Sequence, residues 1–369
     1  LKNYDLCEHC TGRLASKLLG KTPSKHLGKK ILMKYNKSPK KCYVCKNLYE
    51  NVTPMLMNIL DKSSEYNFKS FHIGIIIKPS ILERDDYIKS KFKIKGIENL
   101  KFNLSRELEK KISKKTHSNR ISDNPDLFIE VNFKDESCKL RAKPLVVYGR
   151  YNKNIRKLSQ KEQFCVSCKG IGCHNCNFKG FINIQSIERT LSNFFIDKFD
   201  CKQVKTNWIG GEDQLSLVLG NGRPFFAKLI NPKKRNTILR KTYDLKEISL
   251  SELQKMTIQP KGIVKFKSEV SIIIQTNKPL HLTHLRKLDV LKNLPILNSG
   301  RRNVRSEKFI HKINYKKIKK NQFRLDMIVD GGIPIKSFIE KSDLTPNISD
   351  LIKNQCRCLQ LDFKNILVY

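Results

Sequence analysis

The sequence has no run of apolar residues long enough to cross a membrane as a helix. Its longest apolar candidates, such as 73–77, are the size of a strand, whereas a membrane-spanning helix needs about 20 residues. Residues 1–5 also lack the apolar stretch of a signal peptide. We therefore expect no membrane segment. In a basic chain without a signal peptide, CxxC motifs that stand outside a disulfide framework favour a reducing, cytoplasmic setting.

Acidic residues are scarce relative to basic ones. Among 369 residues, 73 are Lys or Arg and only 34 are Asp or Glu, so the formal net charge is +39. A surplus of this size repels itself in a folded chain unless a polyanion offsets it, which favours nucleic acid as the partner. An AT-rich genome would also enrich Lys, Asn and Ile, but it would not deplete the acidic residues.

The signatures of several large enzyme classes are missing. The chain has no P-loop, no glycine-rich dinucleotide-binding turn between a strand and a helix, and neither HExxH nor GxSxG. These absences argue against nucleotide hydrolysis, dinucleotide or methyl-donor binding, zinc proteolysis and serine hydrolysis. We accordingly expect no organic cofactor.

Eight of the twelve cysteines fall into CxxC pairs. Two residues between thiolates let one turn direct both sulfur atoms at one point, and two such turns make a tetrahedral site for Zn²⁺. The resulting ligand sets are Cys7, Cys10, Cys42 and Cys45 in the first cluster and Cys165, Cys168, Cys173 and Cys176 in the second. Disulfides or a redox pair are the alternatives; four thiolates leave no open position on a metal, so one or two structural zinc ions are predicted.

Hydrophobic periodicity predicts an α+β protein with three parts. These are a zinc-binding segment at 1–50, an α/β module at 51–155, and a domain at 156–369 into which the zinc loop 165–176 is inserted. The last domain is predicted to contain a large, mixed, mostly antiparallel sheet flanked by helices. Predicted strands include 70–77, 126–133, 140–148, 215–219, 224–229, 262–275, 308–318 and 323–329, predicted helices include 104–115 and 185–199, and 152–161 is taken as a charged linker.

The run Gly210-Gly211-Glu212-Asp213 is the remaining candidate for chemistry. Two glycines before a carboxylate let the backbone approach a ligand closely and leave the acid in a shaped pocket. By spacing alone, however, a hairpin turn with solvated acids is the better interpretation.

Several motifs in order resemble the tRNA pseudouridine synthase family called Pus-ten, over nearly the whole chain. The stretch 210–225 is similar to the family's G-R-E-D turn followed by L-G-x-G-R-P-F. The start at 6–13 resembles its L-C-x-x-C-x-G-R, and 165–176 resembles its C-x-x-C-x-G-x-G-C-x-x-C. The α/β module ending in 148–151 resembles a THUMP RNA-binding domain.

The resemblance implies a reaction that needs one ionised carboxylate and no cofactor. Asp213 would be the nucleophile, adding to the uracil ring or to the ribose of a flipped uridine, and Lys336 would keep it ionised. The implied partner is tRNA, with the T-loop uridine at position 54, 55 or both as target, and a monomer is expected. Residues expected to contact the RNA are Gly211, Gly222, Arg223, Arg301, Arg302 and Arg305.

Four positions depart from the family's pattern. Gly211 stands in place of the arginine of G-R-E-D, and Val270 in place of a pocket tyrosine. Pro334 replaces the tyrosine before the lysine. The segment 341–345 keeps only part of the family's closing G-D-x-G-R-T motif. Losing stacking on a flipped base would slow turnover or change substrate choice, and Tyr315 is a candidate substitute. A weakly catalytic tRNA-binding relative and a different THUMP-bearing modifier therefore stay open as alternatives.

Overall fold

A computed structural model describes residues 3–22, 24–38, 40–183, 185–258, 260, 262–298, 306–340 and 344–369. The chain divides into two compact units. The first combines Leu1–Pro144 with Ile230–Asn236, and the second combines Leu145–Leu229 with Thr237–Tyr369. Within the described ranges, no helix combines the length and apolar character needed to cross a membrane.

The first unit is an α/β module. Its helices are α1 (Glu8–Ala15), α2 (Lys25–Lys34), α3 (Val52–Ser63), α4 (Pro79–Lys91) and α5 (Leu100–Thr116), and its strands are β1 (Ser70–Ile76), β2 (Asn119–Arg120), β3 (Leu127–Asn132) and β4 (Ser137–Ala142). The strands form a sheet in the order β2-β1-β3-β4. β1 pairs in parallel with both of its neighbours, and β3 pairs antiparallel with β4.

Helix α5 shows why the sequence folds locally as it does. The side chain of Asn99 caps it by accepting a hydrogen bond from the Phe102 backbone N–H at 2.7 Å. Leu104, Leu108 and Ile112 recur at intervals of four and are fully buried, so one face packs against α3 and β1. Burial of each such side chain stabilises the fold by about 1.5–3 kcal/mol.

The second unit is built on the predicted large sheet. Its strands are β5 (Leu145–Lys153), β6 (Gln163–Phe164), β7 (Phe181–Asn183), β8 (Gln203–Trp208), β9 (Val218–Ile230), β10 (Thr242–Asp244), β11 (Ile248–Met256), β12 (Phe266–Thr276), β13 (Ile296–Asn298), β14 (Ser306–Lys308), β15 (Ile310–Lys319), β16 (Gln322–Asp330), β17 (Leu344–Thr345) and β18 (Cys356–Val368). Its helices are α6 (Ile187–Phe199), α7 (Leu282–Arg286), α8 (Ile335–Glu340) and α9 (Ile348–Ile352).

The sheet runs in the order β10-β11-β5-β9-β18-β12-β16-β15, with β8 beside β9. β9 and β18 pair in parallel, and the other neighbours along this order pair antiparallel. The predicted mixed, mostly antiparallel sheet and the α+β class are thus confirmed. Because β18 is central, the C-terminal strand brings residues from the end of the sequence beside β9 and β12.

The predicted strand 140–148 is wrong as a single element. The run breaks at Lys143-Pro144, where proline lacks an N–H and disfavours helical geometry in the residue before it. β4 lies in the first sheet, whereas β5 is hydrogen-bonded between β9 and β11 in the second. The division between the units therefore falls at 144/145, earlier than the predicted border at 155, because β-propensity does not tell which sheet a strand joins.

Two further strand predictions differ from the structure. The runs 215–219 and 224–229 are largely one strand, β9, in which Gly220 and Gly222 adopt positive φ values of 58° and 72°. β11 was not predicted, although it pairs with β5 and β10. Both misses arise because polar residues and glycines interrupt the alternation that marks a half-buried strand.

Candidate active site

Asp213 lies in the loop between β8 and β9. Gly210, at φ +78°, opens this loop in a conformation that side chains disfavour, and a Cβ there would lie 2.6 Å from Arg223 Nη1. The carboxylate of Asp213 turns back on its own loop, because Oδ1 accepts a hydrogen bond from the Leu215 backbone N–H at 2.9 Å. Its other oxygen is left for a partner from elsewhere in the unit.

That partner is Lys336, at the second residue of α8. Its ammonium donates to Asp213 Oδ2 at 2.8 Å although the two residues are 123 positions apart. Partial burial of Asp213 raises the pKa of its carboxyl, but the hydrogen bond from Lys336 and that from Leu215 outweigh it, so the pKa lies below its usual value. The side chain of Asp213 is 32% exposed and that of Lys336 is 45% exposed, so the ionised carboxylate stays accessible.

The pair opens onto a cavity of about 400 Å³, within the usual size range of small-molecule sites. Its walls come from the loop 210–213, the beginning of β12, the segment 329–337 and the middle of β18. A second carboxylate, Asp330, also lines it, but Asp330 contacts the imidazole of His311 at 2.8 Å. Glu212 lines it too, but it is buried and its two oxygens lie against Lys153 and Arg223. Asp213 is therefore the accessible carboxylate of the cavity, with an exposed lysine beside it.

Glu212 and Arg223 form the buried floor of this cavity. They are 0% and 1% exposed, and Arg223 Nε donates to Glu212 Oε2 at 3.1 Å. Arg223 also donates to the Ile209 carbonyl at 3.1 Å and lies over the Phe363 ring at 4.4 Å from its centroid. Its charge is thus paired with Glu212, while its buried Nη2 has no hydrogen-bond partner among the described residues. The expected contact of Arg223 with RNA stays a prediction.

The two glycines that were expected to contact RNA have different surroundings. Gly222 packs against the β5 backbone, where a Cβ would lie 2.7 Å from the Tyr151 carbonyl oxygen, so strand pairing explains this glycine. Gly211 lines the cavity, and the nearest heavy atom to a Cβ built there is Gln160 Oε1 at 3.8 Å. The position at which the family motif has arginine is therefore open enough for a larger side chain.

Phe266 is a cavity residue that the sequence analysis missed. Its ring lies between two glycines, since a Cβ built on Gly210 would be 2.7 Å from its Cζ and one on Gly331 would be 2.4 Å from it. The ring is partly buried and lines the cavity. The signal in the sequence was present, because glycines on separate segments leave space for an aromatic ring, but their partner could not be identified without the fold.

The three positions discussed as lost or substitute aromatics lie in different places. Val270 is fully buried in the sheet core, whereas Pro334 lines the cavity. Tyr315, on β15, donates a hydrogen bond from its hydroxyl to Asp289 at 2.8 Å. It is not among the residues that line the cavity, so it does not replace the family's pocket aromatic. The basic residues Arg301, Arg302 and Arg305, and 341–343 of the reduced ending, lie outside the described residues.

Both cysteine clusters are assembled. Within each set of four, all sulfur atoms lie within 4.8 Å of one another. The Sγ atoms of Cys7 and Cys45 are 3.6 Å apart, and those of Cys165 and Cys173 are 3.8 Å apart. A tetrahedron with Zn–S bonds of about 2.3 Å has sulfur–sulfur edges of about 3.8 Å, so either set could hold one metal ion of this kind.

The second cluster has the local geometry of a thiolate site. Gly170 and Gly172 adopt φ values of +100° and +104°, which allow the bend between the two pairs. The backbone N–H groups of Gly172 and Gly180 donate to Cys168 Sγ and Cys176 Sγ, both at 3.2 Å. Such donors stabilise ionised sulfur.

Together the fold and the site define an α+β protein with a single lysine-paired aspartate at a cavity in a large sheet domain. The chain belongs to the Pus10 family. The family model for the Pus10 C-terminal region matches residues 146–366, and the model for the archaeal Pus10 THUMP domain matches residues 56–132. The expected resemblance is thereby confirmed.

Two curated relatives cover the full chain. A protein named tRNA pseudouridine synthase Pus10 from Nitrosopumilus maritimus is 42% identical over 100% of this chain and 96% of the relative. A protein of the same name from Cenarchaeum symbiosum is 31% identical over 100% of this chain and 91% of the relative. Among solved structures, an archaeal box H/ACA sRNP Nop10–Cbf5 complex aligns with 58% of this chain and 47% of that chain at 7% identity, but its TM-score of 0.29 supports no further argument.

Proposed function

We propose that this chain isomerises uridine to pseudouridine in the T-loop of tRNA, at position 54, 55 or both, with Asp213 as the nucleophile. The observation that carries the proposal is the 2.8 Å pair between Asp213 and Lys336 at the cavity. Family membership over the full chain supports the reaction class, because the relatives are named for it.

The reaction breaks the bond between the ribose C1′ and uracil N1 and makes a bond between C1′ and C5. The proton lost from C5 is balanced by one gained at N1, so the product is an isomer and no oxidant or reductant is needed. A carboxylate oxygen of Asp213 adds covalently, either to the uracil ring or to the ribose, and is released when the base has rotated. No organic cofactor is required by this balance.

Lys336 has two roles in this scheme. Its ammonium favours the ionised form of Asp213 against the cost of partial burial. It also holds one carboxylate oxygen in place, so the nucleophile does not rotate freely in the cavity. The target uridine must leave its stack to reach the carboxylate, and contacts in the cavity offset part of that cost.

Mapping of pseudouridine in an unmodified tRNA transcript incubated with the wild-type chain tests this function. We expect one product, or two, at T-loop positions 54 and 55, without added cofactor. Tight binding of the tRNA without any product would instead support the weakly catalytic tRNA-binding relative. Product confined to another loop would contradict the assignment to the T-loop.

Phe266 provides an aromatic surface for the flipped base in this proposal. Stacking of a base on an aromatic side chain is worth about 1–3 kcal/mol by alanine substitution. We expect Phe266→Leu, which keeps apolar bulk without a flat ring, to weaken productive tRNA binding about tenfold, measured as an increase in KM.

The matched control for this variant is Phe323→Leu, a fully buried phenylalanine of the same sheet, on β16. It should lower thermal stability at least as much as Phe266→Leu while leaving KM near the wild-type value. Equal KM values for wild type and Phe266→Leu would rule out base stacking on this ring.

The two cysteine sets are proposed to hold structural zinc. With the border moved from 155 to 144/145, the segment 1–50 is proposed as the zinc-binding part, 51–144 as the RNA-binding part and the domain from 145 onward as the catalytic part. The sulfur separations fit a four-thiolate site. Zn²⁺ would link segments that are far apart in sequence in the first unit and would close the loop 165–176 in the second.

We expect the purified chain to contain about two zinc ions and Cys173→Ser to retain about one, measured by elemental analysis. Because metal binding is coupled to folding, chelation should also lower the melting temperature. Cys201→Ser is the matched control: Cys201 is buried outside both clusters, so its replacement should leave the zinc content unchanged. A metal-free chain that chelators do not affect would contradict this proposal.

A further inference from the structure

The side chains of the segment 150–160 hold the Asp213 loop in place by hydrogen bonds to its backbone. Most of the segment was interpreted from the sequence as part of the charged linker 152–161, but it donates hydrogen bonds to backbone carbonyls between residues 210 and 222. The pairs are Arg150 with Gly222 at 3.1 Å, Asn152 with Gly220 at 2.8 Å, Lys153 with Asp213 at 3.1 Å and with Gln214 at 3.4 Å, Arg156 with Leu215, and Gln160 with Gly210 at 3.3 Å.

Lys153 is the member of this set that contacts the nucleophile itself. Its side chain is fully buried at the end of β5. Besides the carbonyls of Asp213 and Gln214, its ammonium contacts the Leu158 carbonyl at 3.0 Å and Glu212 Oε1 at 3.3 Å. A buried ammonium is costly unless its protons have acceptors. Here the carbonyls of Leu158, Asp213 and Gln214 accept hydrogen bonds, and Glu212 supplies the opposite charge.

Glu212 completes the support. Its second oxygen accepts from Arg223, which also binds the Ile209 carbonyl. The turn that carries Asp213 is thus fixed at its start by Arg223 and at its centre by Lys153. Burial lowers the pKa of Lys153, and the contact with Glu212 offsets only part of that shift.

We propose that Lys153 is a positioning residue for the isomerisation: its buried ammonium fixes the peptide groups around Asp213 so that the carboxylate meets both Lys336 and the cavity. The inference rests on the proposed function. Among the described residues, the carboxylate itself accepts hydrogen bonds from the Leu215 N–H and the exposed end of Lys336. Rotation of the 213–214 peptide would swing the side chain, and a displacement of about 1 Å at a reacting group costs about 10²-fold in rate.

The test replaces the ammonium by an apolar side chain of the same length, Lys153→Met, and measures single-turnover pseudouridine formation with saturating tRNA. We expect the rate constant to fall by about 10–100-fold while the Kd for tRNA stays within about twofold of wild type, because Lys153 is buried away from the RNA. If Lys153 contributed only to stability, the Lys153→Met molecules that fold would form pseudouridine at the wild-type rate.

Two further variants distinguish positioning from loss of stability. Ile272→Ala removes a fully buried core side chain on β12 and should lower stability while keeping the wild-type rate per folded molecule. Lys153→Gln keeps an amide N–H donor in place of the ammonium and leaves the Glu212–Arg223 ion pair intact, so it should fold and remain slow.

The outcomes separate this inference from the function on which it rests. No product from wild type would overturn the proposed function itself. An active wild type with an unchanged Lys153→Met rate, or a Lys153→Gln rate equal to that of wild type, would overturn only the positioning role. Failure of both Lys153 variants to fold would also overturn it, in favour of a role in stability alone.

Discussion

Replacing Asp213 with asparagine is expected to abolish pseudouridine formation, with a loss of at least about 10⁴-fold in the single-turnover rate. Asparagine has nearly the same shape but its amide is not a nucleophile, so no covalent intermediate forms. Binding of tRNA should persist, because the carboxylate carries the same sign of charge as the RNA phosphates. Mapping of the product and a titration of tRNA binding measure the two effects separately.

Asp326→Asn is the matched control for this prediction. Asp326 lies on β16, is 40% exposed and pairs with Arg324 at 3.0 Å, so the substitution also removes one paired carboxylate from the surface. Its rate should equal that of wild type. Product formed by Asp213→Asn at the wild-type rate would contradict the assignment of the nucleophile.

Replacing Lys336 with methionine is expected to lower the plateau rate by about 10²-fold and to move the acid limb of the pH–rate profile to higher pH. The wild-type carboxyl has a pKa below its usual value, so the active carboxylate exists at all pH values above that pKa and is lost only in acid. Without Lys336, burial raises the pKa of the Asp213 carboxyl, opposed by the Leu215 N–H and, more weakly, by the charge of Lys153. The carboxyl then takes up its proton at higher pH.

Lys292→Met is a suitable control, since Lys292 is 49% exposed and pairs with Asp289 at 2.9 Å, much as Lys336 pairs with Asp213. It should leave the position of the acid limb unchanged. An acid limb that stays at the same pH in Lys336→Met would show that another group sets the ionisation of the nucleophile.

Prediction from sequence was most successful where the determining pattern is local. CxxC spacing sets the direction of two sulfur atoms within one turn, and both predicted groups of four are assembled in the structure. The helix at 185–199 was placed nearly correctly, as α6, because Ser186 caps it and apolar residues follow at helical spacing. The CxxC turns and α6 depend on residues close together in sequence, whereas Cys7 and Cys10 meet Cys42 and Cys45 only through the fold of the first unit.

The site was predicted only in part, because its members come from separate strands. Asp213 and Lys336 were paired through resemblance, and their 2.8 Å contact is a result of the fold. Phe266 was missed because its relation to Gly210 and Gly331 exists only after β12 has paired with β16 and β18. The segment 152–161 looked like a linker because lysine and arginine usually face solvent, whereas Lys153 is fully buried.

The sequence alone therefore determined the charge surplus, the two thiol ligand sets, the α+β class and the residues that resemble the family's motifs. All of these are encoded in composition or in short spacing. The tertiary structure decided which carboxylate is accessible in the cavity and which aromatic ring lines it. It also decided that Lys153 donates hydrogen bonds to the backbone of the Asp213 loop. Such contacts join residues 60 to more than 100 positions apart, and only strand order and burial determine whether such residues meet.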